Sequence, residues 1–310
     1  METRPFAGMK LSRLMLGTVQ FGMTYGIANR SGQPSKKNIR DILAFACEHG
    51  VNCLDTAAAY GTSEEVLGRT LTELGITDRM IVVTKVCHLP GDISPSSASE
   101  KIEASVTSSL KRLRLDSLPI CLFHAEENFR HVEALIKLRD KGLVRHIGAS
   151  TATPQAAADI ADSGLSEAIQ VPANLLDHRF TKDGGVCRKA SARKMAVFIR
   201  SVYLQGLILM SDAETPPDLT DVIPHRRRMQ TLAGQAGLSL AELAMRHLLS
   251  LPGAACILTG VESIEQIKQN IELFDKGPLP ADLINAINAA AAPGLPGRIL
   301  DPSQWAKKTP

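Results

Sequence analysis

The chain of 310 residues has few aromatic side chains, little net charge and no long apolar run. Aromatic residues make up 4% of the sequence and the formal net charge is +3, which is too small to indicate a nucleic-acid partner. No apolar stretch approaches the ~20 residues that cross a bilayer. The segment Met1–Leu16 lacks the apolar core of a signal peptide. These absences predict a soluble protein without nucleic-acid or membrane partners.

The six cysteines show neither paired spacing nor a metal-ligand pattern. There is no C-x-x-C motif, and four of the six lie in apolar runs, where a free thiol packs as a small hydrophobic group. We therefore expect free thiols, a reducing cytoplasm and no bound metal. The cysteines are Cys47, Cys53, Cys87, Cys121, Cys187 and Cys256.

One basic run, His225-Arg226-Arg227-Arg228, is denser than any other. Such a run can hold a phosphate, or it can be the solvated start of a helix. We favour the solvated helix start.

Short apolar runs alternate with longer segments of helical periodicity along the whole chain. Strands that are buried on both faces and separated by helices form a parallel sheet, and eight such units close into a barrel. The predicted strands are Leu14–Gly17, Asn52–Asp55, Ile81–Lys85, Ile120–His124, Val144–Ala149, Ala168–Val171, Ala196–Arg200 and Ala255–Thr259. The predicted helices are Lys36–His49, Ser63–Leu74, Ala98–Leu113, Phe129–Lys141, Pro154–Ser163, Arg188–Lys194, Leu238–Ser250 and Ser263–Leu273.

A doubly wound open sheet is the alternative α/β architecture. It would require a glycine-rich turn after the first strand to bind a dinucleotide, and Gly17–Gly22 does not fit the G-x-G-x-x-G pattern. We therefore predict an α/β (β/α)8 TIM barrel, with residues 1–310 as one domain. An extra helix, Thr220–Ala236, lies in the loop after strand seven, and a C-terminal helix, Asp282–Ala290, leads into a tail that reaches Trp305.

The ends of the predicted helices carry typical capping residues. Ser63 precedes Glu64 as a predicted N-cap. Glycines follow three helix ends, where left-handed backbone is common. These glycines are Gly50, Gly75 and Gly142.

Four polar side chains follow the ends of three successive predicted strands. Asp55 ends the second strand, Lys85 the third and His124 the fourth, and Tyr60 lies in the loop after Asp55. The loops at these strand ends converge on one opening of a barrel, and neighbouring strands lie ~5 Å apart. An ammonium lowers the pKa of a nearby phenol, a carboxylate anchors the ammonium, and a histidine can orient a substrate oxygen. Each residue alone is equally well explained as a turn, anchor or structural residue, but together they predict an acid–base site for carbonyl and alcohol chemistry.

Longer motifs around these residues resemble the aldo-keto reductases. The resemblance is specific and runs in order through nearly the whole chain. The motifs are Leu16-Gly17-Thr18, Asp55-Thr56-Ala57, Tyr60-Gly61, Ser63-Glu64, Lys85, His124, Ile147-Gly148-Ala149-Ser150, Gln170-Val171-Pro172-Ala173-Asn174, Arg200-Ser201, Gln205-Gly206 and the segment Gly260–Asn270.

This resemblance implies a (β/α)8 barrel that reduces aldehydes and ketones with NADPH, reversibly and without metal or flavin. It implies that Tyr60 is the proton donor, that Lys85 and Asp55 tune the phenol, and that His124 orients the carbonyl. The hydride would pass from the nicotinamide to the carbonyl carbon.

The resemblance also implies the cofactor contacts. Ser150 and Gln170 match residues that hold the carboxamide. Arg200 stands where many members place an aromatic ring against the nicotinamide, and a planar guanidinium can stack there too. Many relatives have Asn after the matching serine, whereas this chain has Thr151, which we do not count as a contact. The remaining matched positions are Ser201, Leu204 and Gly206 along the pyrophosphate and Gly17 and Thr18 near the ring.

The segment after the last strand matches the residues that hold the adenosine end. Ser263 is expected to cap a helix whose N-terminus attracts phosphate, and Gln266 and Asn270 match adenine contacts. Many members place Lys or Arg here to bind the 2′-phosphate, whereas this chain has Gly260, Glu262 and Gln266. A carboxylate repels a phosphate but can accept a hydrogen bond from a free ribose hydroxyl. We therefore expect NADP(H) as the usual cofactor of the family, with NAD(H) as the alternative.

The predicted mouth of the pocket contains several polar side chains. Glu126 and His88, beside few aromatic residues, point to a sugar-like or hydroxylated carbonyl compound. Trp305 can equally be a packing anchor. The predicted lining residues are Phe21, Met23, Tyr25, Cys87, His88, Glu126 and Trp305.

Three functions remain open at this point. The first is a carbonyl reductase, and the second is an NAD-linked sugar dehydrogenase that works oxidatively with the same four residues. The third is a nucleotide-binding regulatory subunit like the resembling β-subunits of potassium channels, which a long basic or hydrophobic extension would favour. The sequence shows no such extension, so we favour the reductase. The oligomeric state is not predicted.

Overall fold

In the computed structural model, which describes residues 1–182, 185–292 and 294–305, eight parallel strands close into a barrel. A separate antiparallel hairpin precedes the barrel and consists of β1 (Thr3–Phe6) and β2 (Met9–Ser12). The barrel strands are β3 (Leu14–Gly17), β4 (Cys53–Asp55), β5 (Ile81–Lys85), β6 (Leu118–Phe123), β7 (Val144–Ser150), β8 (Ala168–Pro172), β9 (Ala196–Arg200) and β10 (Cys256–Gly260). They pair in chain order, and β10 closes the barrel against β3.

Helices follow the barrel strands and cover their outer faces. The α-helices are α1 (Val19–Gly22), α2 (Lys36–Glu48), α3 (Ser63–Leu74), α4 (Pro95–Leu113), α5 (Val132–Asp140), α6 (Pro154–Asp162), α7 (Gly185–Ala192), α8 (Val222–Gln235), α9 (Leu240–Leu249), α10 (Ile264–Asp275), α11 (Ala281–Ala290) and α12 (Gly297–Leu300). None of the described helices is long and apolar enough to cross a membrane.

Two apolar layers explain why the barrel strands are buried on both faces. Side chains such as Met15, Cys53 and Ile120 fill the barrel interior, while alternate residues such as Leu14 and Leu54 pack outward against the helices. Continuous apolar runs are typical of parallel strands covered in this way. The predicted (β/α)8 barrel, the helix after the seventh strand and the C-terminal helix are confirmed.

The N-terminal hairpin was not predicted from the sequence. Its two-residue turn, Ala7 and Gly8, has positive φ at both positions, which is the backbone of a type I′ hairpin turn. Phe6 and Leu11 are buried together with the interior residues Met15 and Cys53, so the hairpin covers one end of the barrel. The strands are short and mostly exposed on β1, and they therefore give little apolar alternation to detect.

The predicted glycines at helix ends have left-handed backbone, but the predicted N-cap is wrong. Gly75 has φ +65° and ends α3, and Gly50 and Gly142 are also left-handed. At the start of α3 the N-cap is Thr62 rather than Ser63. The hydroxyl of Ser63 is turned inward, where it donates to the backbone oxygen of Thr18 at 2.8 Å.

The basic run near the start of α8 is exposed at Arg227 and Arg228, as predicted for a solvated helix start, but not at Arg226. Arg226 is fully buried, and its guanidinium donates to the backbone oxygen of Leu207 at 3.0 Å and to the hydroxyl of Thr215 at 2.9 Å. It also pairs with the carboxylate of Asp212 at 2.5 Å. Arg226 thus fastens the long loop after β9 to α8. In the predicted C-terminal tail, Pro293 lies outside the described residues, and Trp305 packs in the apolar cluster around α8 and α11.

A buried histidine, His247, makes the stability of the fold depend on pH. His247 in α9 stacks on His178 with ring centroids 5.2 Å apart, and its Nδ1 has no hydrogen-bond partner among the described residues. Burial, reinforced by His178, lowers the pKa of His247 to about 3. Between this value and about 6.5, the usual histidine pKa, the unfolded chain binds a proton that the folded chain does not. The contribution of His247 is therefore lost as pH falls through this window.

We expect His247→Gln to reduce the pH dependence of the free energy of unfolding in this window. The slope should fall by about 1.4 kcal/mol per pH unit, because one fewer proton is taken up on unfolding. Urea denaturation between pH 4 and pH 7 measures the slope. The control is His49→Gln at an exposed histidine, which should leave the slope unchanged. The same slope in wild type and His247→Gln would contradict the assignment.

Candidate active site

The four predicted acid–base residues lie together at one end of the barrel. Asp55 is the last residue of β4, Lys85 is the last residue of β5, and His124 directly follows β6. Tyr60 lies in the loop after β4, and α3 begins three residues later at Ser63. Because β4, β5 and β6 are neighbours in the barrel, their carboxyl ends bring these side chains into one cluster.

Lys85 is the centre of the cluster. Its buried ammonium donates to Oδ1 of Asp55 at 2.7 Å, to the backbone oxygen of Thr56 at 3.0 Å and to the hydroxyl of Tyr60 at 3.5 Å. Burial lowers the pKa of Lys85, but Asp55 and Tyr60 raise it more, and the net pKa lies above the usual value. The lysine therefore remains charged although it is 1% exposed.

The phenol of Tyr60 stays protonated at neutral pH. Burial raises its pKa, and the nearby charge of Asp55 adds to this effect. Lys85 acts in the opposite direction, as expected from the sequence, but burial outweighs it and the net pKa of Tyr60 is raised. The cluster thus holds a neutral phenol beside a charged ammonium.

His124 is a neutral imidazole in this cluster. Its ring meets the ring of Tyr60 edge to face, with centroids 5.5 Å apart. Burial, reinforced by the charges of Lys85, His88 and Arg200, lowers the pKa of His124 to about 3. Its buried Nδ1 has no hydrogen-bond partner among the described residues. A protonated Nδ1 would leave a buried N–H group without a partner, which proteins avoid. We therefore place the proton of the neutral ring on Nε2, with Nδ1 as the unprotonated nitrogen.

Gln170 reaches the acid–base cluster from β8. Its amide Nε2 donates to Oδ1 of Asp55 at 2.7 Å, so that this oxygen accepts from both Gln170 and Lys85. This contact between residues 115 positions apart has no signal in the sequence. The predicted contact of Gln170 with a carboxamide stays a prediction.

Buried hydroxyl groups support the cluster from behind. The hydroxyl of Thr18 donates to the backbone oxygen of Asp55 at 2.8 Å and lies 2.9 Å from the hydroxyl of Ser63, which also accepts from Thr56. Thr18 is fully buried and its hydroxyl is bonded to the protein, and its predicted place near the nicotinamide ring stays a prediction. Next to Ser63, the buried carboxylate of Glu64 accepts hydrogen bonds from three donors, which were not predicted from the sequence. They are Thr84, Ser109 and Arg112.

The loop after β9 has strained backbone where a pyrophosphate was predicted. Ser201, Leu204 and Gln205 have φ values of +67°, +48° and +54°, and Gly206 follows at +93°. Left-handed backbone at non-glycine residues costs about 1–3 kcal/mol each and is concentrated at functional sites. Arg200, at the start of this loop, donates to the hydroxyl of Ser201 at 3.2 Å and to the backbone oxygen of Thr151 at 2.9 Å.

A loop after α1 crosses over this segment. The backbone N–H of Ala28 donates to the oxygen of Gln205 at 3.4 Å, and the amide of Gln205 donates to the hydroxyl of Tyr25 at 3.2 Å. A Cβ on Gly206 would lie 2.3 Å from the Cβ of Ala28, so a glycine is required for this close approach. This crossing was not predicted from the sequence.

The segment after β10 is organised around the N-terminus of α10. Ser263 caps the helix by accepting from the backbone N–H of Gln266, as predicted. The side-chain oxygen of Gln266 accepts from the backbone N–H of Glu262 at 2.6 Å. The carboxylate of Glu262 accepts from the hydroxyl of Ser31 at 3.2 Å, and burial raises its pKa. Asn270 is buried and donates to the hydroxyl of Thr259 at 3.1 Å.

Three of the predicted pocket residues are engaged elsewhere in the structure. Phe21 is fully buried in the layer between barrel and helices, so it has no surface to offer a substrate. Glu126 accepts from the backbone N–H groups of Ala152 and Thr153 and therefore holds the turn before α6. Trp305 is 9% exposed, and its indole N–H donates to backbone oxygens of α12, as a packing anchor would.

The other predicted pocket residues have solvent-accessible surface. Met23 and Tyr25 are exposed on the crossing loop, and Cys87 and His88 follow Lys85 on the loop after β5. The ring of His88 stacks on the ring of His124, with centroids 4.5 Å apart and planes inclined by 24°. A role for these residues in binding a substrate stays a prediction.

Comparisons with known proteins show the family to which this chain belongs. The model of the aldo/keto reductase family matches residues 13–292. The chain is 26% identical over 291 residues to the aldo-keto reductase YhdN of Bacillus subtilis (strain 168), covering 86% of each protein. It is 25% identical over 298 residues to the uncharacterized oxidoreductase YqkF of the same organism, covering 88% of this chain and 94% of YqkF.

A solved structure shows the same fold. The aldo-keto reductase AKR11C1 from Bacillus halodurans, in its holo form, superimposes with a TM-score of 0.78 and 21% identity, covering 97% of this chain and 100% of that chain. The protein described here is an oxidoreductase built on a (β/α)8 barrel. It belongs to the aldo/keto reductase family, whose members generally use NAD(P)(H) and act on small carbonyl compounds.

Proposed function

We propose that this protein reduces an aldehyde or ketone to an alcohol with NADP(H) or NAD(H), and that Tyr60 donates the proton. The observation that carries the proposal is the position of the buried Lys85 ammonium, 2.7 Å from Asp55 and 3.5 Å from the hydroxyl of Tyr60. This arrangement presents a protonated phenol next to a positive charge that can stabilise the phenolate left after proton transfer.

Several features of the barrel mouth fit a dinucleotide. The N-terminus of α10, capped by Ser263, has the partial positive charge that attracts phosphate, and the loop Ser201–Gly206 has the left-handed backbone that is concentrated at functional sites. At Gly260 an added Cβ would lie 2.6 Å from the amide nitrogen of Gln20, whose buried Oε1 has no partner among the described residues. We assign the pyrophosphate to Ser201, Leu204 and Gly206, the nicotinamide to Gly17, Ser150, Gln170 and Arg200, and the adenosine end to Gly260, Glu262, Ser263, Gln266 and Asn270.

The residues of the cluster divide the work of carbonyl reduction. The nicotinamide, when bound, supplies the hydride for the carbonyl carbon. Nε2–H of the neutral His124 donates to the substrate oxygen and orients it, and the hydroxyl of Tyr60 transfers its proton to that oxygen as negative charge develops. Lys85 stabilises the resulting phenolate, while Asp55 keeps the ammonium charged and in place.

The phenol of Tyr60 is protonated at neutral pH, which is the form that donates a proton during reduction. A sugar dehydrogenase would use the same four residues in the reverse direction, with Tyr60 as the proton acceptor. We propose the carbonyl reductase because the site as described holds the acid form. We also propose a reducing compartment such as the cytoplasm, since all six cysteines are free thiols.

The variant Tyr60→Phe tests the proposed proton donor. Loss of a general acid lowers kcat by about 100- to 10,000-fold, while the cofactor contacts are left in place. We expect a loss in this range for reduction of a panel of aldehydes and ketones, followed by nicotinamide absorbance, with unchanged NADPH affinity by fluorescence titration. Tyr203→Phe, which removes a hydroxyl outside the acid–base cluster, is the matched control and should retain activity.

Two outcomes would count against the proposed function. Full activity of Tyr60→Phe would show that another group supplies the proton. The wild-type protein could instead bind nucleotide but turn over no carbonyl compound or sugar with NADPH, NADH, NADP+ or NAD+. That result would favour the regulatory-subunit alternative.

Glu262 provides a test of cofactor choice. Its half-buried carboxylate lies beside the capped N-terminus of α10, where it would repel a 2′-phosphate. We expect Glu262→Gln to strengthen NADPH binding relative to NADH binding, as measured by the two dissociation constants. Glu265→Gln, in the exposed first turn of α10, is the control. Unchanged affinities for both nucleotides in Glu262→Gln would contradict the proposed role of Glu262 in cofactor choice.

A further inference from the structure

His88 lies at the acid–base cluster but has no part in the proton transfer described above. It follows Lys85 by three residues and is exposed, whereas the Nδ1 atom of His124 beneath it is buried. The two rings stack at 4.5 Å with an inclination of 24°. A row of three rings therefore runs from Tyr60, which meets His124 edge to face, through His124 to the stacked ring of His88.

The ring nitrogens of His88 are free to bind a ligand. No hydrogen bond joins them to another residue in the described part of the chain. Other histidines are anchored: His146 contacts the carboxylate of Glu167 at 2.9 Å, and His49 and His178 contact backbone oxygens. Stacking on His124 nevertheless fixes the plane of the His88 ring. A ring that is oriented but unbonded is suited to recognition.

Stacking holds the two rings with their centroids 4.5 Å apart at the acid–base cluster. A substrate oxygen at Nε2 of His124 then has its neighbouring atoms within reach of His88. A carbonyl compound with a second oxygen on the adjacent carbon can present one oxygen to each ring. A compound with a methyl group in that place would leave the polar edge of His88 without a partner and displace its water.

We propose that His88 is a specificity-determining residue that hydrogen-bonds the oxygen on the carbon next to the substrate carbonyl. The protein would then prefer α-hydroxycarbonyl or α-keto acid substrates to unsubstituted aldehydes and ketones. This inference rests on the proposed carbonyl reductase function and narrows its substrate class.

The test compares hydroxyacetone with butanone, which have nearly the same shape and differ by a hydroxyl in place of a methyl group. We expect wild type to favour hydroxyacetone in kcat/KM by about 3- to 10-fold, the effect of one hydrogen bond. His88→Phe keeps a flat ring against His124 but removes the ring nitrogens. In this variant the ratio of kcat/KM for hydroxyacetone to kcat/KM for butanone should fall to about 1, because only hydroxyacetone loses a hydrogen bond, and His88→Gln should restore part of the ratio.

Pyruvate identifies the kind of oxygen that His88 binds. A greater effect of His88→Phe on pyruvate than on hydroxyacetone assigns a carboxylate, and the reverse assigns a hydroxyl. Equal preference ratios in wild type and His88→Phe for both compounds would overturn the proposal.

A binding measurement separates this proposal from the proposed function. If wild type turns over none of these three compounds, the wider panel of carbonyl compounds and sugars decides whether the protein is a reductase, and a binding measurement decides the role of His88. Histidine ring signals in carbon-13 NMR, recorded with NADP+ present, then decide it. We expect the signal lost in His88→Phe to move when hydroxyacetone is added and to stay when butanone is added. No movement with either hydroxyacetone or pyruvate would refute the assignment.

Discussion

The buried ion pair between Lys85 and Asp55 is the interaction on which the site at the barrel mouth depends. A buried ammonium without its carboxylate is destabilising by about 3–5 kcal/mol, so neither residue can be exchanged alone without loss. Both side chains are almost fully buried, and Gln170 and the backbone of Thr56 complete their hydrogen bonds. The two residues thus form a buried, hydrogen-bonded ion pair next to the hydroxyl of Tyr60.

Burial, more than charge, sets the protonation states of Tyr60 and His124 next to this ion pair. It keeps the phenol of Tyr60 protonated although an ammonium lies 3.5 Å away, and it keeps His124 neutral at any pH near neutrality. A neutral imidazole beside Lys85 can donate a hydrogen bond but is not a competing acid. One group is therefore left as the acid of carbonyl reduction, and the other as the guide for the substrate oxygen.

The sequence predicted the parts of this site that depend on periodicity. Asp55, Lys85 and His124 were found because each follows an apolar strand, and the order of parallel strands brings such ends together. It could not predict how long-range contacts use the side chains in between. Gln170 donates a hydrogen bond to Asp55, which lies 115 positions away in the sequence. Arg226 is buried against the loop after β9, although Arg227 and Arg228 beside it are exposed. Such contacts are fixed by tertiary packing and leave no local pattern.

The most direct test of this account is the protonation state of Tyr60 in the folded protein. Carbon-13 NMR of the tyrosine Cζ atoms gives three signals, one for each tyrosine in the chain, and Tyr60→Phe identifies the one that belongs to Tyr60. We predict that this signal keeps the chemical shift of a neutral phenol up to about pH 10, the ordinary tyrosine pKa. A shift to the phenolate position at neutral pH would contradict the account, because Lys85 would then outweigh burial and Tyr60 could not serve as the acid.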